Sequence, residues 1–128
     1  MKMKLPETKN DLREKTRRAM FDKVAEELEE LTDDMAERAV ELGGVALGTI
    51  QIISKKSRLS SYPLDLASGQ KHVAVLSNAL ANCGASTRRA IDTASKAGDA
   101  DTADLFTGVS RGIDKLLWLV EAHAQAID

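Results

Sequence analysis

The fold is decided by residues 21–42, FDKVAEELEELTDDMAERAVEL. Apolar side chains recur there at alternating intervals of three and four residues, at Phe21, Val24, Leu28, Leu31, Met35, Ala39 and Leu42. This spacing places them along one side of an α-helix of about six turns. Gly43 and Gly44 follow, and glycine tolerates the left-handed backbone that ends many helices. The stretch therefore predicts an amphipathic helix that stops at Leu42.

Two later segments have the same helical spacing. One stripe consists of Val73, Leu76, Leu80, Cys83, Thr87, Ala90 and Ala94, and the other of Phe106, Val109, Ile113, Leu116, Leu117, Val120 and Ala124. Gly98 is expected to close the first of these helices, and Asp101 with Thr102 to cap the second. No segment alternates polar and apolar residues as a strand does. The chain is predicted to be all-α, with three long helices.

The connection over residues 43–69 is too long for a simple turn. Val45 to Ile53 is apolar enough to form a short helix. Ser60 to Gly69 contains Tyr62-Pro63 and is expected to be extended, because the residue before proline avoids the helical region. Three wide apolar stripes usually need a fourth helical partner. We therefore expect a homo-oligomer.

Composition excludes several classes of protein. The chain has 128 residues, enough for one domain, with 43% apolar and 30% charged residues. Aromatic residues make up only 3%, which argues against a base-stacking platform for single-stranded nucleic acid. One cysteine, Cys83, excludes a disulfide within the chain and a cysteine-rich metal site. No apolar run is long enough to span a membrane, so a cytoplasmic location is expected.

Charge is distributed unevenly along the chain. Residues 1–18 carry seven lysines and arginines against three acids, whereas the rest of the chain has an acidic excess. We divide the chain into a basic N-terminal arm, 1–18, and a helical domain, 19–128. The arm is predicted to contact DNA phosphates through Lys2, Lys4, Lys9 and Arg13. The alternative is a solubilising terminus.

The first helix concentrates acidic residues. Residues 22–41 hold nine acids and only two cations, and five of the acids fall within one arc of the helix: Asp22, Glu26, Glu29, Asp33 and Glu37. Asp33 and Glu37 are one turn apart and can share a metal ion that prefers oxygen ligands. Asp22 is about 16.5 Å away along the axis, so it reaches that ion only from an antiparallel second copy. The alternative is a solvated acidic face. His72 and His123 make no metal-binding pair and are interpreted as exposed helix residues.

The run from Asp33 to Thr49, DDMAERAVELGGVALGT, resembles the Dps family, the DNA-protecting miniferritins of starved bacteria. Ser61 to Asp65 is similar to the family's segment between helices, and Thr8 to Asp11 is similar to its N-terminal arm. The last helix is also similar, over residues 101–107 and at Ser110, Arg111, Asp114, Lys115 and Trp118.

The resemblance implies a ferritin-like four-helix bundle, twelve copies of which form a hollow shell. It also implies a ferroxidase, which oxidises ferrous iron between two-fold-related subunits, commonly with hydrogen peroxide, and stores the ferric mineral. By position, Asp33 and Glu37 match the carboxylate ligands of one subunit and Asp22 matches the ligand of its neighbour. Association with the nucleoid would follow from DNA binding.

The chain departs from the family in two places. The family's first helix, which carries a histidine ligand, has no counterpart between the arm and Phe21. The second family histidine falls at Arg18. The resemblance therefore implies an iron site with carboxylates and no imidazole, which is impaired in oxidation. The alternative function is a non-enzymatic helical assembly protein that binds DNA or a partner through its arm.

Overall fold

The computed structural model describes residues 3–125, which form four helices and no strand. In chain order these are α1 (Lys9–Glu41), α2 (Ile50–Lys56), α3 (Gly69–Lys96) and α4 (Ala100–Ala124). The all-α prediction is confirmed, as is a short helix within the long connection. No helix in this part of the chain is long and apolar enough to cross a membrane.

Helix α1 begins well before Phe21, where the predicted helix started. Thr8 and Asp11 form a capping box, in which the Asp11 backbone N–H donates to Thr8 Oγ1 at 3.1 Å and the Thr8 N–H donates to Asp11 Oδ2 at 2.8 Å. These bonds satisfy backbone donors that a helix start otherwise leaves unpaired. Residues 9–18 of the basic arm are thus helical and continuous with the acidic segment. The domain division at residue 18 stays a prediction.

Glycine ends both helices at which it was expected to do so. Gly43 has φ +88° and its N–H donates to the Val40 carbonyl at 2.9 Å, just beyond the end of α1. Gly98 has φ +77° and follows α3. Both positions need the left-handed conformation, which glycine adopts without a steric penalty.

Two predicted boundaries were wrong. The N-cap of α4 is Asp99, not Asp101 and Thr102, because the Asp99 carboxylate accepts the Thr102 backbone N–H at 3.0 Å. The short helix begins at Ile50 and not at Val45, since Thr49 provides its side-chain cap. In each case a capping side chain sets the start, and apolar spacing alone does not reveal it.

Helix α4 packs against both α3 and α1. It is antiparallel to α3, to which a short turn joins it. It is also antiparallel to α1, because Arg38 near the end of α1 contacts Thr102 at the start of α4, whereas Met20 belongs to the same core cluster as Val120. Helices α1 and α3 are therefore parallel to each other, and both pack on α4.

The core joins the first half of α1 to the first half of α3 and the last turns of α4. Its buried members are Met20, Val24, Val73, Leu80, Leu116 and Val120. The predicted stripes of α3 and α4 are confirmed at these positions, and also at Ala94, Val109 and Ile113. Met20 precedes the predicted stripe of α1 but is only 3% exposed, so the packed part of α1 starts before Phe21.

Several large apolar side chains remain on the surface of the single chain. Leu64 is 99% exposed, Ile50 84% and Trp118 67%. These three lie in the connection, in α2 and in α4, respectively. Such side chains are suited to contact with other subunits when they form a continuous patch.

Candidate metal-binding site

The acidic arc of α1 points away from the core. Met20 and Val24 mark the packed side of the helix, and at about 100° per residue the arc is centred on the opposite side. All five of its acids are exposed: Asp22, Glu26, Glu29, Asp33 and Glu37. The fold therefore presents these carboxylates outward, where a second molecule can reach them.

Of the three predicted ligands, Asp33 and Glu37 lie one turn apart on α1. Helix α1 is continuous from Asp22 to Glu37, so Asp22 lies about 16.5 Å from Asp33 along the axis. Within residues 3–125, no three His, Cys, Asp or Glu side chains converge as a metal-binding group. One chain thus offers this pair of carboxylates, and further ligands must come from another molecule or from water.

A shallow groove of about 280 Å³ runs beside Asp33. Its lining comes from α1 alone, with the small side chains of Ala25 and Thr32 next to Leu28 and Glu29. The Thr32 hydroxyl donates to the Leu28 carbonyl at 2.7 Å, so its proton is not available to a ligand. The groove is therefore an open depression on the surface of α1 next to Asp33.

Arg18 lies on α1 one turn before Asp22 and is exposed. The two side chains form no ion pair in the described part of the chain, although their spacing permits one. The positive charge of the Arg18 guanidinium opposes the approach of a cation to Asp22.

The predicted DNA-contacting residues have different environments. Lys4 and Lys9 are exposed, whereas Arg13 is half-buried and already has an interaction partner. Lys2 lies outside the described residues. Lys15, which was not among the predicted contacts, forms an ion pair with Glu7.

Sequence reasoning missed the polar cluster that holds the end of α1 against the start of α4. Arg38 Nε donates to Thr102 Oγ1 at 3.0 Å, and its Nη2 donates to Asp99 Oδ1 at 3.2 Å. The third donor, Nη1, reaches Glu41 at 3.0 Å. Hydrogen bonds from Thr102, together with the charge of Arg38, lower the pKa of Asp99 below its usual value. This Arg38–Asp99–Thr102 clasp fixes the rotation of α1 next to Glu37.

One signal for the clasp was present in the sequence. Arg38 is one of only two cations among the nine acids of residues 22–41. By helical geometry it also lies on the packed side of α1, in line with Met20 and Leu31. A cation on the packed side of an acidic helix predicts a buried or half-buried acidic partner on another element.

His72 is held by the connection, contrary to the expectation of an exposed residue. Its Nδ1 lies 2.6 Å from the Tyr62 hydroxyl, and its Nε2 lies 3.1 Å from the Leu66 carbonyl oxygen. A carbonyl only accepts, so Nε2 carries a proton and donates it. The ring also stacks on Tyr62 with centroids 5.7 Å apart. The imidazole thus fastens the connection to α3.

Comparison with known proteins identifies this architecture. Residues 15–128 match the family described as the ferritin-like domain. The DNA protection during starvation protein of Agrobacterium fabrum is 41% identical over 106 residues, which cover 83% of this chain and 65% of that protein. The protein of the same name from Streptococcus suis is 26% identical over 104 residues, 80% of this chain and 60% of its own length.

A solved structure, the crystal structure of Dps from Staphylococcus aureus, superimposes with a TM-score of 0.81. It is 24% identical, and the match covers 94% of this chain and 78% of that one. This likeness establishes the shared fold. The chain spans less than two thirds of the length of the Streptococcus suis relative and just under two thirds of the Agrobacterium one. It belongs to the ferritin-like family, within the Dps group.

Proposed function

We propose that this chain is a Dps-type homo-oligomer that binds ferrous iron on the outward acidic face of α1. The observation that carries the proposal is the placement of Asp33 and Glu37. They lie one turn apart, exposed, on the side of α1 opposite the core, and the Arg38–Asp99–Thr102 clasp holds the helix in that rotation. Membership of the Dps group supports iron as the substrate.

The site is completed by a neighbouring subunit in this proposal. An antiparallel α1 from a two-fold-related copy places its Asp22 opposite Asp33 and Glu37. Three carboxylates then surround one cation, and hard oxygen ligands suit Fe²⁺. The same ligands suit Mg²⁺ and Mn²⁺, so selectivity for iron is expected to be poor.

Iron oxidation is expected to be slow. Neither histidine of the family motif has a counterpart, and Arg18 occupies the position of one of them. No imidazole ligand then helps to hold the iron while it loses an electron to peroxide, and the Arg18 charge weakens the Asp22 contribution. The proposed activity is therefore binding and storage, with impaired ferroxidase chemistry.

Calorimetric titration of the intact protein with Fe²⁺ under anaerobic conditions tests the site. Glu37→Gln and Asp33→Asn should each lower the affinity by about tenfold, because each removes one charged ligand. The matched control is Glu14→Gln, which removes an exposed carboxylate of α1 far from Asp33 and outside the acidic arc, and should leave the affinity unchanged. Equal losses in all three variants would show diffuse attraction to an acidic helix and contradict the proposal.

Stopped-flow absorbance of the ferric product tests the role of Arg18. Arg18→His should raise the oxidation rate with peroxide, because it restores an imidazole and removes an opposing charge. Arg111→His on α4 is the control, since it makes the same exchange away from α1. If Arg18→His does not change the oxidation rate, the missing imidazole is not what makes oxidation slow.

DNA binding is proposed for the N-terminal residues Lys2, Lys4, Lys9 and Arg13. The acidic arc repels phosphate, so DNA should not contact that side of α1. Binding should be independent of base sequence and should weaken steeply with salt. Lys4→Gln with Lys9→Gln should reduce it without shortening α1. If the double variant binds as tightly as the parent chain, the contact lies elsewhere.

A second candidate is a non-enzymatic assembly protein that binds DNA or a partner through this same end. The arginine at position 18, where the family has a histidine, favours it. It predicts no saturable binding of Fe²⁺ together with salt-sensitive DNA binding. The Fe²⁺ titration and the DNA-binding measurement described above separate the two candidates.

Assembly into a shell of twelve subunits, in the cytoplasm and on the nucleoid, is part of the same proposal and comes from the Dps relatives. Exposed Ile50, Leu64 and Trp118 support association of some kind. Light scattering at micromolar concentration measures the size, and a monomer would contradict the proposal.

A further inference from the structure

A cleft lies between α3 and the chain that follows α2, away from the acidic arc. It has a volume of about 370 Å³, and its polar lining comes from Arg58 of the connection and from Asn82, Ser86 and Arg89 of α3. Leu59 and Cys83 also line it. We call it the Arg58–Arg89 cleft.

The two arginines of this cleft have no carboxylate partner. Neither Arg58 nor Arg89 forms an ion pair with any acid of residues 3–125, and no acidic side chain from that range lines the cleft, whereas the adjacent Arg88 pairs with Asp114. Both arginines also line an adjoining pocket of about 450 Å³ that includes Asp99, but the Asp99 carboxylate is already bonded to Arg38 and Thr102. Two positive charges therefore face the cleft with no acid inside it, although the chain as a whole is acidic.

Neighbouring groups orient one of these charges. Arg58 Nη2 donates to Ser86 Oγ at 3.0 Å, which ties the guanidinium across to α3. A guanidinium has five N–H donors, so most remain for another acceptor. Asn82 adds an amide that can donate as well. Burial raises the pKa of the Cys83 thiol, so it stays neutral and does not repel an anion.

Two guanidinium groups with neutral donors beside them form a typical binding site for an oxyanion with several acceptor oxygens. We propose that the Arg58–Arg89 cleft binds a phosphate group. Lys55 and Lys56 precede Arg58 in the chain and are exposed, so residues 55–58 add further positive charge to this part of the surface. This site is independent of the proposed iron ligands and of the N-terminal lysines.

Calorimetric titration of the intact protein with inorganic phosphate at low salt is the primary test. Arg58→Gln and Arg89→Gln should each weaken binding by about tenfold, the loss expected for one charged hydrogen-bonding partner. Arg88→Gln is the matched control, because Arg88 is adjacent on α3 but pairs with Asp114 at 3.5 Å. It should change the affinity by less than about twofold.

Circular dichroism should show that the variants remain helical, because both arginines lie at the surface. Arg89→Lys retains the charge but loses the planar donor pair, so it should bind more weakly than the parent chain and more tightly than Arg89→Gln. Absence of saturable phosphate binding, or equal losses in Arg88→Gln and Arg89→Gln, would overturn the proposal.

A short single-stranded oligonucleotide distinguishes the source of the phosphate. It is titrated into the Lys4→Gln, Lys9→Gln protein, in which the N-terminal contact is weakened. If Arg89→Gln reduces binding of both probes, the cleft accepts a phosphodiester. If it reduces only that of inorganic phosphate, the cleft is a site for the free anion. Both results support the site.

Discussion

The contribution of α1 packing to stability can be measured by substituting Leu116. It is 2% exposed and lies in the core cluster with Met20 and Val24 of α1 and Val73 and Leu80 of α3. Leu116→Ala removes three buried carbon atoms from the place where three helices meet. Buried leucine-to-alanine changes cost 2–5 kcal/mol, and we expect a loss of about 3 kcal/mol in the free energy of unfolding. For a chain of this length that lowers the Tm by about 10 °C.

Urea unfolding followed by circular dichroism measures the change. Protein concentration is held fixed, because assembly contributes to apparent stability. Leu64→Ala is the matched control: it makes the same chemical change at a side chain that is 99% exposed, and its cost should stay within about 0.5 kcal/mol.

A double-mutant cycle tests whether the stability lost in Leu116→Ala comes from packing against α1. Val24→Ala and Leu116→Ala should show a coupling energy of at least about 0.5 kcal/mol, since both side chains belong to one cluster. If Leu116→Ala costs no more than Leu64→Ala, or if the cycle shows strict additivity, α1 does not pack on α4 as described here.

Three further predictions concern single residues. The pKa of Asp99 is lowered by Thr102 and Arg38. The stability that this carboxylate contributes is therefore present above about pH 4 and is lost as the pH falls through its lower folded pKa. In Asp99→Asn, the free energy of unfolding measured with urea should depend less on pH in this range, and an unchanged pH dependence would contradict this. Gly98→Ala should destabilise the fold by about 1 kcal/mol, because φ is +77°; a stabilised variant would show that the turn relaxes. Cys83 is half-buried with a raised pKa, so at pH 8 it should react with iodoacetamide more slowly in the native protein than in urea, and equal rates would refute its burial.

The apolar stripes of α3 and α4 could be predicted because these two helices pack against each other as a hairpin, and the packed side of each helix carries apolar residues at helical spacing. The start of α1 could not be predicted in the same way. Its capping box, Thr8 with Asp11, precedes a run of basic residues that suggests a tail, and only the paired hydrogen bonds show that a helix begins there. The outward direction of Asp33 and Glu37 followed from helical geometry alone.

Contacts between distant segments were beyond sequence reasoning. Arg38 and Asp99 are 61 positions apart, and Arg58 and Ser86 are 28 apart. Nothing in local spacing indicates that these pairs meet. These contacts depend on the path of the long connection and on the packing of both α1 and α3 against α4, which are tertiary features.

The packing of α4 against two parallel helices has a consequence for the order in which the chain folds. Helices α3 and α4 are joined by a short turn, so their pairing closes only a small loop, whereas α1 reaches α4 across the whole connection and α3. Because closing the larger loop costs more chain entropy, the α3–α4 hairpin is expected to form in the folding transition state and α1 to dock afterwards. Substitutions within the hairpin interface should then slow folding, and substitutions on the packed side of α1 should mainly accelerate unfolding. The acidic arc, with its candidate ligands, would be the last part of the bundle to become fixed and the first to be released.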